Sequence, residues 1–215
     1  MRFRYPAAAL ALTALLGAAC SSDDDDDRAT PENDAGEGTG SAATEEADFN
    51  DADITFAVNM IPHHEQAVTM SQLAPGRAAD ERVIDLAERI EAAQSPEIEQ
   101  MRGFLDVFGE DEPMGDMDMD ADEMAAMDGM TGMLGEEELD ALEEETGVDF
   151  DLLYLEGMIA HHEGAIEMAE IELGEGEYPE ALELAQSIRA AQEDEIDEMR
   201  TLLADIEALA SGGRG

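Results

Sequence analysis

Apolar positions recur at helical spacing in two separated stretches of the chain. Near the C-terminus, Leu182, Ala185, Ile188, Gln192, Ile196, Met199, Leu203, Ile206 and Leu209 fall three or four residues apart, which predicts a helix with one apolar stripe into which Gln192 intrudes. A second striped helix precedes it, capped by Asp149 or Asp151 and running to about Leu173. Gly174 and Gly176 break that helix, and Pro179 suits the first turn of the next. The same two-helix pattern occupies residues 49–108, where Pro75-Gly76 reads as the separator. A shorter helix is expected at 136–145.

The two stretches are copies of one another. Phe56–Arg102 lies over Tyr154–Arg200 at a constant offset of 98 with no gap. FAVNMIPHHEQAVTM meets YLEGMIAHHEGAIEM, and LAERIEAAQSPEIEQMR meets LAQSIRAAQEDEIDEMR. Register kept over this length marks an internal duplication. A helical hairpin with a single apolar stripe cannot bury itself, and two of them packed together make an all-α four-helix bundle. The expected organisation is a signal peptide over 1–19, an acidic tether over 20–48, hairpin repeat 1 over 49–108, an acidic Met-rich linker over 109–148 that includes the short helix, and hairpin repeat 2 over 149–211.

Composition narrows the function. The 215 residues carry 10 Lys+Arg, every one an arginine, against 56 Asp+Glu, for a formal net charge of -46. Such a field repels phosphate backbones, excludes nucleic acid as a partner and favours cations. Aromatic residues are only 4% and Trp is absent, so the core is aliphatic and Met-rich, with 14 methionines in all. The single cysteine, Cys20, excludes an internal disulfide and a thiolate metal cluster. It follows a basic start, Arg2 and Arg4, and an apolar run from Ala7 to Ala19, too short to span a bilayer comfortably. The sequence Leu15-Leu16-Gly17-Ala18-Ala19-Cys20 resembles a bacterial lipoprotein signal, so Cys20 is the expected lipid-bearing residue and the membrane is touched through that anchor alone.

The chemistry lies in the repeats. All four histidines fall in two adjacent pairs, His63-His64 and His161-His162, at equivalent positions. Helical neighbours point about 100° apart, so one histidine of each pair faces the core and the other its flank. Met60 and Met158 precede the pairs by three and four residues and share their face. Met70, Met101, Met168 and Met199 lie at helical spacing nearby. Polar residues on the second helices, Gln94 and Glu97 in one repeat and Gln192 and Glu195 in the other, fall in or beside the stripe. With Glu65 and Glu163 they are candidates to support the ligands or to favour Cu(II). Imidazole with thioether and no thiolate points to copper, Cu(I) above all, with silver as its mimic. Seven methionines at 114, 117, 119, 124, 127, 130 and 133 fall within twenty residues of acidic chain. Exposed thioethers there would be auxiliary captors of Cu(I).

MIPHHEQAVTM and FDLLYLEGMIAHHEGAIEMAE, each followed by Q-x-x-E-I-x-x-M-R, resemble the domain of unknown function 305 family, the CopM-like copper-binding proteins. The resemblance covers about residues 49–108 and 149–205. It implies a ferritin-like four-helix fold, an extracytoplasmic site and copper or silver binding by His and Met. By matching position its ligands would be Met60, His63, His64, Met70 and Met101, with Met158, His161, His162, Met168 and Met199. This chain has Phe104 and Leu202-Leu203 where the family often carries Trp after the M-R pair.

The leading expectation is a copper-binding protein that sequesters or delivers the ion, without catalysis and with its delivery partner and oligomeric state open. A di-iron oxidoreductase or gas-binding bundle is the first alternative. Such sites use Glu-x-x-His on paired helices, and neither histidine pair of this chain has a glutamate three residues upstream. The second alternative is a metal-free surface module. No nucleophile–base pair or phosphate loop is present to support a hydrolase or kinase.

Overall fold

A computed structural model describes residues 48–110 and 130–212. Among the described residues are five helices and no strand: α1 (Asp51–Arg77), α2 (Glu81–Phe108), α3 (Glu136–Glu144), α4 (Val148–Glu175) and α5 (Pro179–Gly212). α1 pairs with α2 and α4 with α5, and the two hairpins meet mainly along α1 and α4. The long helices form a four-helix bundle. The signal peptide, the tether and Cys20 lie outside the described residues, as do Met114, Met117, Met119, Met124 and Met127.

Local sequence sets the helix starts. Asn50 caps α1: its Oδ1 accepts from Ala52 N–H at 2.8 Å, and the Asp53 carboxylate accepts from Asn50 N–H at 2.7 Å. Asp80 caps α2 by accepting from Arg82 N–H at 2.9 Å. The first hairpin turns later than its sequence suggests. α1 continues through Pro75-Gly76 to Arg77, because tertiary bonds fix the turn at 78–80. The Asp151 carboxylate accepts from Ala79 and Asp80 N–H, both at 3.0 Å, and Arg77 O accepts from Gly147 N–H at 2.7 Å. Asp151 therefore does not cap its own helix. The residue preceding α4 is Gly147, at φ 72, a left-handed conformation that suits glycine.

The arrangement is reciprocal. Asp53 of the first hairpin accepts from Glu177 N–H at 3.1 Å and Tyr178 N–H at 2.8 Å, at the turn of the second hairpin. Asp53 and Asp151 stand 98 apart in sequence, as do the amides they hold. Both carboxylates are buried, and their bonds to orphan amides at helix starts offset that burial. The symmetry fails at one neighbour. Glu172, also buried, lies against Asp53, whereas its counterpart beside Asp151 is Ala74.

The bundle has two apolar cores, one toward each end. The first gathers Phe56, Met60, Met101, Phe104, Met168, Leu184 and Ile188. The second gathers Met70, Leu86, Ile90, Tyr154, Met158, Ile196 and Met199, with Leu142 of α3 and Leu134 packed on it. Each buried side chain of this size contributes about 1.5–3 kcal/mol. On α5 the apolar face differs in detail from the spacing reading. Leu184 and Leu202 are buried, Leu182 and Leu203 are half-buried, and Leu209 is 70% exposed near the helix end.

Candidate metal centre

Each long helix carries one polar step between the two cores. On α1 the first core uses residues up to Ile61 and the second begins at Ala67, with His63 and His64 between them. On α4 the order reverses, and His161 and His162 separate the second core from the first. Gln94 on α2 and Gln192 on α5 hold the matching places. All six side chains are buried, the four histidines fully. The result is a polar layer at mid-height of the bundle with apolar packing above and below.

Helical geometry gives the two histidines of each pair different neighbours. His63 and His161 meet across the α1–α4 seam with ring centroids 3.7 Å apart and an interplanar angle of 42°. His64 turns to its own hairpin partner, where its Nε2 lies 3.0 Å from Glu97 Oε2; His162 Nε2 lies 2.8 Å from Glu195 Oε2. A carboxylate oxygen accepts, so in both pairs Nε2 carries the hydrogen, and in the neutral ring that places the lone pair on Nδ1. His63 Nε2 donates to the backbone carbonyl of Thr131 at 3.1 Å, which leaves its Nδ1 in the same state.

These Nδ1 atoms have no partner. Five buried ring nitrogens lack a hydrogen bond: Nδ1 of His63, His64, His161 and His162, and Nε2 of His161. The amide of Gln94 and Oε1 of Gln192 are unpartnered as well. An unsatisfied buried polar atom costs about 1–3 kcal/mol, and native proteins keep few of them. Protonation does not relieve the cost. Burial, and then the nearby His64 and His162, push His63 down to about 3, with the Thr131 carbonyl opposing. Burial, followed by His63, His162 and His64, holds His161 well below the usual imidazole range. Both rings stay neutral at ordinary pH, as ligands must be.

The thioethers follow the twofold relation. Met60, Met101 and Met168 lie in the first core, and their counterparts Met158, Met199 and Met70 lie in the second. Each trio draws on both hairpins, and Met60 and Met158 sit one turn from the imidazoles on their own helices. Among the described residues no group of three or more His, Cys, Asp or Glu side chains is arranged to hold a metal ion. The other soft donors near the imidazoles along these helices are the thioethers.

Several expected residues stand elsewhere. Glu65 and Glu163 are exposed and pair outward, with Arg102 at 2.8 Å and Arg200 at 2.7 Å, since one step along a helix turns a side chain away from the imidazole it follows. Only Glu97 and Glu195 of the four glutamates reach a ring. Met130 and Met133 are not exposed linker thioethers: they are 1% and 8% exposed. Residues 130–134 lie as a strap over the bundle beside α1 and α4. Gln66 clamps it, donating to Leu134 O at 3.0 Å and accepting from Leu134 N–H at 2.8 Å. On the other side Gly164 makes room, since a Cβ there would run into the Thr131 carbonyl. Gln66 and Gly164 occupy the same position of the two repeats. That mismatch, close behind the histidines in the best-matched block, was the available signal for the strap.

A sequence-family profile described as "Domain of unknown function (DUF305)" matches residues 53–203. Solved structures share the fold. A DUF305 protein from Streptomyces coelicolor superposes with a TM-score of 0.64 at 32% identity, over 73% of this chain and 94% of that one. A DUF305 fragment from Deinococcus radiodurans gives 0.63 at 28% identity, over 73% and 97%. CopM in its Cu(I)-bound form gives 0.58 at 28% identity, over 71% and 96%. CopM has also been solved in Cu(II)-bound and silver-bound forms. No curated protein matches the chain.

Proposed function

The chain belongs to the DUF305 family, and we propose that it is an extracytoplasmic protein that binds Cu(I), or Ag(I) in its place, and sequesters or delivers the ion. One observation carries this reading: five buried imidazole nitrogens without a hydrogen-bond partner lie in one layer between two methionine-bearing cores. A soft cation supplies the missing partner. Each ion would draw a few donors from the imidazoles of His63, His64, His161 and His162 and from one methionine trio, Met60, Met101 and Met168 on one side of the layer or Met158, Met199 and Met70 on the other. Glu97 and Glu195 orient His64 and His162. The existence of CopM in copper- and silver-bound forms at this level of similarity supports the same chemistry.

No catalytic role is assigned. A di-iron centre requires clustered carboxylates and histidines, and none is found among the described residues. The N-terminal pattern ending at Cys20 supports export and lipid anchoring, and no described helix is long and apolar enough to cross a membrane.

Thermal melting under anaerobic conditions tests the proposal. A ligand that binds only the folded state at one hundred times its Kd stabilises it by about 2.7 kcal/mol, or on the order of 5–10 °C in a chain of this size. Cu(I) and Ag(I) should each raise the melting temperature by that order, and Fe(II) should not. An unchanged melt at saturating Cu(I) and Ag(I) refutes the reading.

A further inference from the structure

The strap breaks the symmetry of the polar layer at one ring. His64 and His162 are treated alike, each bonded to the glutamate of its own hairpin. His63 and His161 are not. His63 is bonded to the Thr131 carbonyl, whereas neither ring nitrogen of His161 has a hydrogen-bond partner. A backbone carbonyl has no hydrogen to give, so this contact selects the Nε2–H form of neutral His63 and leaves Nδ1 as its only lone pair.

Thr131 reaches that place because its segment is held on both flanks. The Gln66 amide closes two bonds on Leu134, three residues further along. Gly164 allows the Thr131 carbonyl to approach α4, and Gly132, at φ 86, lies so close to the Ala160 carbonyl that a Cβ there would overlap it. Gln66 sits three residues after His63 on α1, so it adjoins the ring it serves without touching it.

We propose that residues 130–134 are a positioning strap that fixes the His63 tautomer through the Thr131 carbonyl, with Gln66 as the side chain that sets the strap in place. The centre is consequently asymmetric. His63 presents Nδ1 alone, and no strap carbonyl reaches the His161 ring. The consequence for metal affinity rests on the function proposed above; the tautomer assignment does not, because it concerns the metal-free protein.

The experiment uses the full chain labelled with 15N-histidine. Long-range 1H–15N correlation of the metal-free protein at neutral pH should find His63 as the Nε2–H tautomer. In Gln66→Leu, and separately in Gly164→Ala, His63 should become a mixture of tautomers while His64 and His162 keep their spectra. Far-UV circular dichroism establishes that each variant retains its helices, and if one fails to fold the other carries the test. Competition with Ag(I) should show affinity lowered ten- to a hundredfold, the usual effect of removing a group that orients a ligand. A wild-type His63 that carries its proton on Nδ1 overturns the proposal. So does a His63 that stays wholly Nε2–H in a folded variant. A wild-type chain that ignores Ag(I) but shows the tautomer change upholds the strap and removes the metal-binding reading.

Discussion

Glu172 is the group whose replacement should improve the protein. Its carboxyl is 1% exposed and has no donor to accept from. Its neighbour is Asp53, whose oxygens accept from the amides of Asn50, Glu177 and Tyr178. Two carboxyls so placed cannot both ionise, and the one with the amide bonds keeps the charge. Burial, and then Asp53 itself, raise Glu172 to about 8, while the backbone bonds bring Asp53 below its ordinary value despite burial. A carboxyl with a raised folded pKa binds its proton more tightly in the folded state than in the unfolded chain. Its effect is neutral below about pH 4.5, and stability then declines as pH rises toward 8. From pH 6.5 to 8 ordinary carboxylates no longer titrate differentially, and the unfolded chain's loss of protonation at His63 opposes Glu172 by only a few tenths of a kcal/mol, mostly below pH 7.5, so Glu172 dominates the slope. One pH unit is worth about 1.4 kcal/mol, so this interval costs about 2 kcal/mol, or roughly 4–8 °C in melting temperature. Glu172→Gln keeps an N–H to give Asp53 and cannot ionise. Circular dichroism melts of both proteins at pH 5.5, 6.5, 7.5 and 8.5 should show the wild type falling above 6.5 and the variant level, with the variant the more stable at 8.5. Parallel profiles, or a variant less stable at pH 8.5, refute the shared-proton account.

Three further outcomes are expected. His63→Leu with His161→Leu should stabilise the metal-free protein below pH 6.5, because a buried histidine held near 3 must give up the protonation that the unfolded chain enjoys; the same variant should lose its thermal response to Ag(I), and melts at pH 5 with and without silver check both. Leucine at Met60 and Met158 conserves volume and should cost less than about 1.5 kcal/mol of stability at each position, while Cu(I) affinity, read by chelator competition, should fall. Serine at Met114, Met117, Met119, Met124 and Met127 should reduce the number of Ag(I) ions bound in calorimetric titration and leave the melt of the metal-free protein unchanged.

The duplication made the bundle and its histidines legible because both repeat. An offset of 98 brings His63 onto His161 and Met60 onto Met158, and a twofold relation between packed hairpins then sets equivalent rings against one another. Helical periodicity could place Gln94 and Gln192 in their stripes for the same reason. Periodicity could not find contacts that lack periodic character. The turn at 78–80 is set by Asp151 from the other hairpin, overriding the local signal of Pro75-Gly76. Met130 and Met133 looked like members of an exposed acidic run, since nothing in their own neighbourhood announces burial. What buries them is the Gln66 clamp and the vacant side-chain position at Gly164, two residues that a comparison of repeats reads as a mismatch. The departures from the duplication are therefore as informative as the matches. Glu172 against Ala74 gives one end of the bundle a titrating carboxyl pair that the other lacks. Gln66 against Gly164 gives one histidine a fixed hydrogen-bond partner and leaves its twin free. Duplication supplies two equal half-sites, and substitutions at these few positions make them unequal.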